Sequence, residues 1–355
     1  MKIALIGEFS LLHNYLKDGL ISKGHEVTLF SNGDGWKKMP SDSYLFKTGS
    51  KGIKRIYDYY IEPIFRFKKL KGYDIVQFIC PLLFSSAINN YIIRQIKKNN
   101  KHLVLLSAGN DLATVTAYKE GVLKYIFDYD KEHIEKYDEN TWKGRIKIKD
   151  EKEVLNLVDV IIPTSYIYKV GYKDNPKVTE VIPLPINLDK IQYNKNIIVN
   201  NKIVFFHGLN RELAKGTPFI RAALEKLQEK YPNDVEVIID GHLPYDEYLK
   251  IIRKTNVILD QCCDHDYGMN ACISLAQGKI VMCCSTPEAL HAIKQESCPV
   301  IPISPNVEQI YNQLVRIVEN KNSIFDLGMK SREYVEKVHN CTLIAEKYLA
   351  IWNKL

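Results

Sequence analysis

Apolar runs of strand length alternate with amphipathic helical stretches along almost the whole chain. Ile3 to Ile6 are followed by Leu12, Tyr15, Leu16 and Leu20 at the spacing of one helix face, closed by Gly24, and then by Val27 to Phe30. The same reading predicts strands at Ile75 to Ile79, Leu103 to Leu106, Val158 to Ile162 and Val178 to Ile182, with helices around 84 to 98 and 151 to 157. A turn at Pro183, Leu184 and Pro185 and a polar stretch through Asn201 interrupt the rhythm. It restarts with strands at 203 to 206, 235 to 239, 256 to 260 and 279 to 283, and three helices at about 306 to 320, 323 to 338 and 342 to 354 close the chain. Strands that alternate with helices make parallel sheets covered by helices, so the fold class is α/β. The expected organisation is a Rossmann-like domain over 1–194, a second over 195–341, and a C-terminal helix at about 342–355 packed back on the first. Open parallel sheets bind ligands beyond the carboxyl ends of their strands, which places a central cleft between two facing sets of loops.

Composition narrows the partners. With 355 residues and 46% hydrophobic content there is ample material for two cores. The 49 Lys and Arg exceed the 42 Asp and Glu by 7, which suits anionic partners but is too mild for a dedicated nucleic-acid reader. Nucleotide sugars and acidic membranes both qualify. The chain opens directly on a strand pattern, and no apolar stretch approaches the roughly 18 residues that span a bilayer, so the expected location is cytoplasmic. A basic and aromatic stretch at 47–71 offers peripheral contact with the anionic inner face of a membrane; a solvated helix with one partly buried face is the alternative. The eight cysteines include the neighbours Cys262, Cys263 and Cys283, Cys284 but no CxxC spacing, so buried apolar thiols are the first expectation and a metal site the second.

Four loops carry candidate chemistry. Residues 207 to 227, HGLNRELAKGTPFIRAALEKL, read as strand, loop and helix, with Thr217 as N-cap and Pro218 as first helical residue. Arg211 and Lys215 then stand with the helix amides at an anion site, and Gly208 and Gly216 allow close backbone approach; a plain loop with solvated cations is the alternative. The first loop, Gly7, Glu8, Phe9 and Ser10, lacks GxGxxG, which disfavours nicotinamide and flavin. Glu8 or His13 is expected near an acceptor hydroxyl, with Gly7 and Phe9 beside them; a turn capped by Ser10 is the alternative. After Leu106 comes Ser107 to Asp111, where Asp111 is either a base toward an alcohol or the cap of the next helix. The stretch 260 to 278, DQCCDHDYGMNACISLAQG, leads from a strand end through Asp264, His265, Asp266 and Tyr267 to a helix opening near Gly268.

These motifs resemble, over about residues 203 to 285, the retaining family-four-like glycosyltransferases of the two-domain GT-B fold. The family's Gly, Arg, Lys, Gly loop is matched by Gly208, Arg211, Lys215 and Gly216. Its Glu, Gly, Phe, Gly segment, second Glu and terminal Gly-Lys align with His265, Asp266, Tyr267, Gly268, Ile273, Gly278 and Lys279, so both glutamates are replaced. Ala108 to Asp111 are similar to the family's His, Gly, Ser, Asp loop, with Ala for His. The resemblance implies that Arg211 and Lys215 hold a donor diphosphate, and that Asp266, Tyr267, Gly268, Met269, Asn270, His242 and Leu243 contact donor sugar and nucleotide. Asp111, His265 and Glu8 are the catalytic candidates. It further implies a hexosyltransferase-type enzyme moving sugar from a nucleotide diphosphate donor to a glycan or lipid-linked acceptor in bacterial capsule, O-antigen or other surface-polysaccharide synthesis, retaining, with no metal and no cofactor. The alternatives are a nucleotide-sugar epimerase or hydrolase on the same fold, and a catalytically silent binding subunit.

Overall fold

The computed structural model describes residues 1–45, 51–241 and 245–355. The chain divides into two compact units, one of residues 1–120, 132–187 and 341–355, the other of 121–131 and 188–340. Each is built on one parallel sheet.

In the first unit the strands are β1 (Lys2–Ile6), β2 (Glu26–Ser31), β3 (Ser43–Tyr44), β4 (Ile75–Phe78), β5 (His102–Ser107) and β6 (Val160–Pro163), in the order β3-β2-β1-β4-β5-β6. β1 lies between β2 and β4, pairing Leu5 with Leu29 on one side and with Gln77 on the other. Helices cover both faces of such a sheet, so its strands read as unbroken apolar runs; Ile3, Ala4 and Leu5 are all fully buried. The segment expected as a strand at 178–182 makes only an isolated bridge, Val178 to Ile161. Pro183 and Pro185, which have no N–H to donate, end the pairing there. The helix expected at 151–157 is the last part of Trp142–Leu157, whose first turns are polar and whose start Thr141 caps through the Gly144 N–H at 3.0 Å. The C-terminal helix Cys341–Trp352 buries Ile344, Ala345 and Tyr348 and packs on the helix Leu12–Ser22.

In the second unit the strands are β7 (Ile203–Leu209), β8 (Val235–Gly241), β9 (Val257–Leu259), β10 (Ile280–Cys283) and β11 (Ile301–Pro302), in the order β11-β10-β9-β7-β8. Its core joins Phe205, Leu259 and Met282 of the sheet to Ile220, Leu224 and Leu227 of the helix Thr217–Lys230, and to Ile310 and Leu314 of Val307–Glu319. Both sheets reverse their order once, between β1 and β4 and between β7 and β9. Such reversals open a crevice at the strand carboxyl ends, because the flanking connections leave in opposite directions.

Candidate functional site

At the β7–β9 reversal the chain builds a charged constellation. Beyond Leu209, Arg211 takes a left-handed backbone (φ 51°) and starts a single helical turn, Glu212–Lys215, which Gly216 closes with φ 75°. Gly216 is required twice over: its φ is one that side chains resist, and a Cβ there would stand 2.3 Å from Cys262 Sγ and 2.8 Å from Cys263 Sγ. This turn brings Lys215 inward. Its Nζ donates to Asp260 Oδ1 at 2.7 Å, its carbonyl accepts the Cys262 N–H at 2.9 Å, and both Lys215 and Asp260 are buried. Asn270 donates to the same Asp260 oxygen at 3.0 Å and accepts from the Tyr248 hydroxyl at 3.2 Å. Burial alone would push the Asp260 pKa up, yet the Lys215 ammonium and the Asn270 amide hold it below its ordinary value. Asp260 therefore stays an anion. Arg211 remains exposed, and among the described residues its guanidinium makes no hydrogen bond or ion pair.

The supports of this constellation differ from the sequence reading in two places. Thr217 is not the cap; Gly216 holds that position, and the Thr217 hydroxyl donates to His207 Nε2 at 2.8 Å. His207 is fully buried with Nδ1 on the Leu259 carbonyl at 2.9 Å, and burial lowers its pKa to about 4, so it is neutral and ties β7 to β9 and to the helix. Neither His207 nor Asp260 was singled out from sequence. The usable signal was an acid one residue past a buried strand, matched to a Lys that closes a turn.

The 264–270 loop divides by function. Asp264 Oδ1 accepts the N–H groups of His265 (2.6 Å) and Asp266 (3.3 Å), and burial pushes its pKa up to about 6 despite these bonds and the Arg211 charge. His265 Nε2 accepts the Lys124 backbone N–H at 3.1 Å, so the ring holds segment 121–131 to the second unit, helped by Tyr129 against Phe219 at 5.1 Å. Burial lowers the His265 pKa as well. Tyr267, expected at the donor sugar, is instead buried, with its hydroxyl on Tyr334 Oη (2.8 Å) and His339 Nε2 (3.0 Å). Its ring is large and apolar enough to be drawn into the core, where the two partners satisfy its one polar atom. Gly268 opens the helix Met269–Ala276; Met269 and Asp266 are buried, and nothing stands within 4 Å of where a Gly268 Cβ would be. Gly208 lies in β7, with only the Phe206 ring near its Cβ position, at 3.6 Å. Lys279 donates to the carbonyls of Thr255 (2.7 Å) and Arg253 (3.2 Å), closing the helix Tyr245–Lys254 at the opposite end of the strands. His242 and Leu243 lie outside the described residues. Cys262, Cys263, Cys283 and Cys284 are buried free thiols.

The first unit carries its own strand-end site. Gly7 turns the chain at φ 87°, where a Cβ would stand 2.5 Å from Ile79 Cγ2. Glu8 is buried; Oε2 accepts the Asn14 N–H (2.9 Å) and side-chain amide (2.7 Å), while Oε1 has no partner among the described residues. Burial raises the Glu8 pKa to about 7. A cavity of about 180 Å³ is lined by Glu8, Phe9, Phe30, Ser31, Ile79 and Leu83, among others. His13, expected on the acceptor side, is fully enclosed instead: Nδ1 donates to the Gly7 carbonyl at 2.7 Å, Nε2 accepts from Gln77 at 3.2 Å, and its pKa falls to about 4. It braces the turn from beneath. Ser10 does not cap the following helix; Leu11 holds the cap position, and Lys37 Nζ donates to Ser10 Oγ at 2.8 Å.

Asp111 takes the second of its two readings. It caps Leu112–Lys119 through the Thr114 N–H and hydroxyl, both at 3.1 Å, and its other oxygen accepts from Tyr172. With both oxygens engaged and the side chain buried, it is a structural acid. Beneath it Glu151 accepts from Tyr137 and from the Leu112 N–H, and burial followed by the nearby Asp111 charge raises its pKa to about 7.

No family model matches the chain, and no curated protein does. Solved structures do. A sucrose-phosphate synthase from Thermosynechococcus elongatus aligns over 100% of this chain and 99% of its own at 14% identity and a TM-score of 0.65. The Anabaena protein HepE, in complex with UDP and glucose, aligns over 100% of both chains at 11% identity and a TM-score of 0.64. A UDP-GlcNAc 2-epimerase from Neisseria meningitidis bound to UDP-GlcNAc covers 100% of both at 12% identity and a TM-score of 0.57. With these neighbours and its two parallel-sheet domains, the chain has the GT-B fold.

Proposed function

We propose that this protein is a glycosyltransferase that moves a sugar from a nucleotide diphosphate donor to a glycan or lipid-linked acceptor, in the assembly of a bacterial surface polysaccharide. The observation that carries the reading is the Lys215–Asp260–Asn270 constellation with Arg211 beside it, at the strand-end reversal where an open sheet binds its ligand. An ammonium fixed by a buried carboxylate cannot swing away, and an exposed guanidinium with no partner among the described residues is free for a bidentate phosphate contact. Neighbours of the same fold were solved with UDP, UDP and glucose, and UDP-GlcNAc.

In this reading the acceptor oxygen bonds to the anomeric carbon as the carbon–phosphate-oxygen bond breaks. The departing diphosphate keeps the bonding electron pair, and Arg211 and Lys215 stabilise the charge it gains; preorganised cations at a leaving group contribute several kcal/mol, about 3 for a single donor. The acceptor proton passes to the leaving phosphate oxygen, on the same face, so the configuration is retained. In this reading the cations that act on the departing diphosphate are these two side chains. Donor-sugar contacts fall to Asp266, Gly268 and Asn270, and the acceptor hydroxyl to the Glu8 cavity with Gly7 and Phe9 at its edge.

The epimerase among the neighbours keeps a second reading in play, that of a nucleotide-sugar epimerase. One experiment separates them: a panel of nucleotide sugars is screened for thermal stabilisation, and the stabilising one is followed with and without lipid-linked glycans. Transfer predicts release of the nucleoside diphosphate only with acceptor; epimerisation predicts a changed sugar with no acceptor. Stabilisation without turnover under either condition identifies a silent binding subunit, and stabilisation by no nucleotide sugar overturns the proposal.

A further inference from the structure

Gly52 to Lys69 form one continuous helical segment of the first unit, running through Gly52–Ile56, a π-helical turn Tyr57–Ile61, Glu62–Arg66 and a 3₁₀ turn Phe67–Lys69. Pro63 accounts for the wide turn before it, since it has no N–H to close the helical ladder. Along the segment Ile53, Ile56, Tyr57, Tyr60, Ile61 and Phe65 recur at steps of three, one and four, the spacing of a buried helix face. Here that face is open: all six are exposed, Ile53 at 87% and Phe65 at 61%. The acids point the other way. Asp58 is 3% exposed, and Glu62 is buried with the Arg66 guanidinium on it at 2.5 Å. Pro63, Phe67 and Leu70 anchor the inner side, Phe67 edge-on to Tyr91 at 6.0 Å.

The exposed side is therefore apolar and basic at once. Lys51, Lys54, Arg55, Lys68, Lys69 and Lys71 are exposed, while both carboxylates of 51–71 are buried. Lys68 Nζ lies 5.6 Å from the Phe65 ring, and the Arg55 guanidinium 5.6 Å from the Tyr59 ring, so cations and aromatics share one surface. A row of six large apolar groups has a reason to be exposed only where something else covers it. We propose that this face lies on an anionic lipid bilayer, with Ile53, Ile56, Tyr57, Tyr60, Ile61 and Phe65 in the interface and the flanking Lys and Arg against the headgroups. Charge complementarity selects this occupant: cations at both ends of the row, with no exposed acid between them, suit a sheet of uniform negative charge, whereas a protein partner would meet one-signed repulsion-prone edges that it had to match group by group. The inference does not depend on the sugar chemistry.

The test uses the full chain and sedimentation with vesicles of phosphatidylcholine alone or mixed with phosphatidylglycerol. Binding is expected to the mixed vesicles, to weaken as salt rises, and to be lost on phosphatidylcholine alone. Replacing Lys54→Glu with Arg55→Glu is expected to weaken binding by about tenfold or more, since each cation near an anionic surface contributes about one kcal/mol and its reversal removes more. Ile53→Ser with Phe65→Ser is expected to weaken it by about tenfold or more through lost apolar insertion. These side chains are exposed, so circular dichroism should show both variants folded. Equal binding to both vesicle types, no binding to either, or variants that bind as the parent would overturn the proposal. A concentration-dependent dimer that the Ile53 and Phe65 changes abolish would overturn it too, by assigning the face to a second copy.

Discussion

The two strand-end reversals share a topology and differ in charge. Beyond β7, a buried ammonium and a buried carboxylate are paired, and a guanidinium stands exposed beside them; beyond β1, a lone carboxyl and a histidine are buried without an opposite charge. The backbone supplies a crevice in both cases, because strand order reverses in both. What each crevice accepts is decided by whether its buried charge is compensated. Asp260 is held ionised by Lys215, and the pair fixes the ammonium at the strand end. Glu8 has only amide donors, and burial lifts its pKa to about 7. In the proposed reading the β7 crevice takes the donor diphosphate and the β1 crevice the acceptor hydroxyl.

The largest test of that difference is Lys215→Met. Removing one partner of a buried ion pair strands the other charge, which costs about 3–5 kcal/mol, so the urea midpoint should fall steeply. Adding Asp260→Asn should recover a large part of the loss, because the stranded charge goes with it. A single Lys215→Met change that costs under about 1 kcal/mol would show the pair to be solvated, as exposed pairs are, and would erase the contrast.

Glu8→Gln probes the other crevice. A carboxyl whose pKa rises from 4.5 unfolded to about 7 folded binds its proton more tightly in the native state. Its contribution to stability is therefore fully present below about pH 4.5 and is lost as the pH rises through 7. Glu8→Gln keeps an oxygen for the Asn14 donors and removes the titration. Between pH 4.5 and 8, the variant should gain stability relative to the parent by up to roughly 3 kcal/mol. A stability difference that is flat with pH would mean that Glu8 titrates normally. With the leaving phosphate oxygen taking the acceptor proton, Glu8 only positions the hydroxyl, so Glu8→Gln should lower kcat/KM by a similar factor on both sides of pH 7; a parent rise in kcat/KM through about pH 7 that the variant abolishes would make Glu8 the base instead.

The sheets were legible because their strands are buried on both faces and read as apolar runs, Ile3 to Ile6 and Ile203 to Phe206 being the plainest. The side-chain chemistry was less so, since its partners are remote in sequence: Lys215 finds Asp260 45 residues on, and His13 finds Gln77 64 residues on. Local rules placed the cap at Thr217, but the left-handed turns at Arg211 and Gly216 form an extra helical turn and move the cap back one residue. Tyr267 shows the same limit. Motif alignment put it at the sugar, whereas His339, 72 residues away, takes its hydroxyl. Tyr267→Phe should therefore cost about 1–2 kcal/mol, by leaving buried partners unmatched, with donor affinity unchanged. A selective loss of donor affinity would return Tyr267 to the site.

Arg211→Ala has the smallest effect on the fold and the most specific effect on the site. Its guanidinium is exposed and makes no hydrogen bond or ion pair among the described residues, so stability should change by less than about 0.5 kcal/mol. Alanine in place of arginine keeps the same left-handed backbone, at φ 51°, so the turn that carries Lys215 inward is not relieved of strain by the change. A bidentate phosphate contact contributes about 1.5–3 kcal/mol, and its loss should weaken nucleoside diphosphate binding by about tenfold or more, read by calorimetry. Binding of the free sugar, which lacks the diphosphate, should not change. That pattern would separate the two charges, with Lys215 serving fold and ligand together and Arg211 the ligand alone. Full diphosphate affinity in Arg211→Ala would leave the second crevice with a buried, self-satisfied ion pair and no open cation, and the electrostatic distinction from the Glu8 crevice would then rest on the fold and not on a ligand.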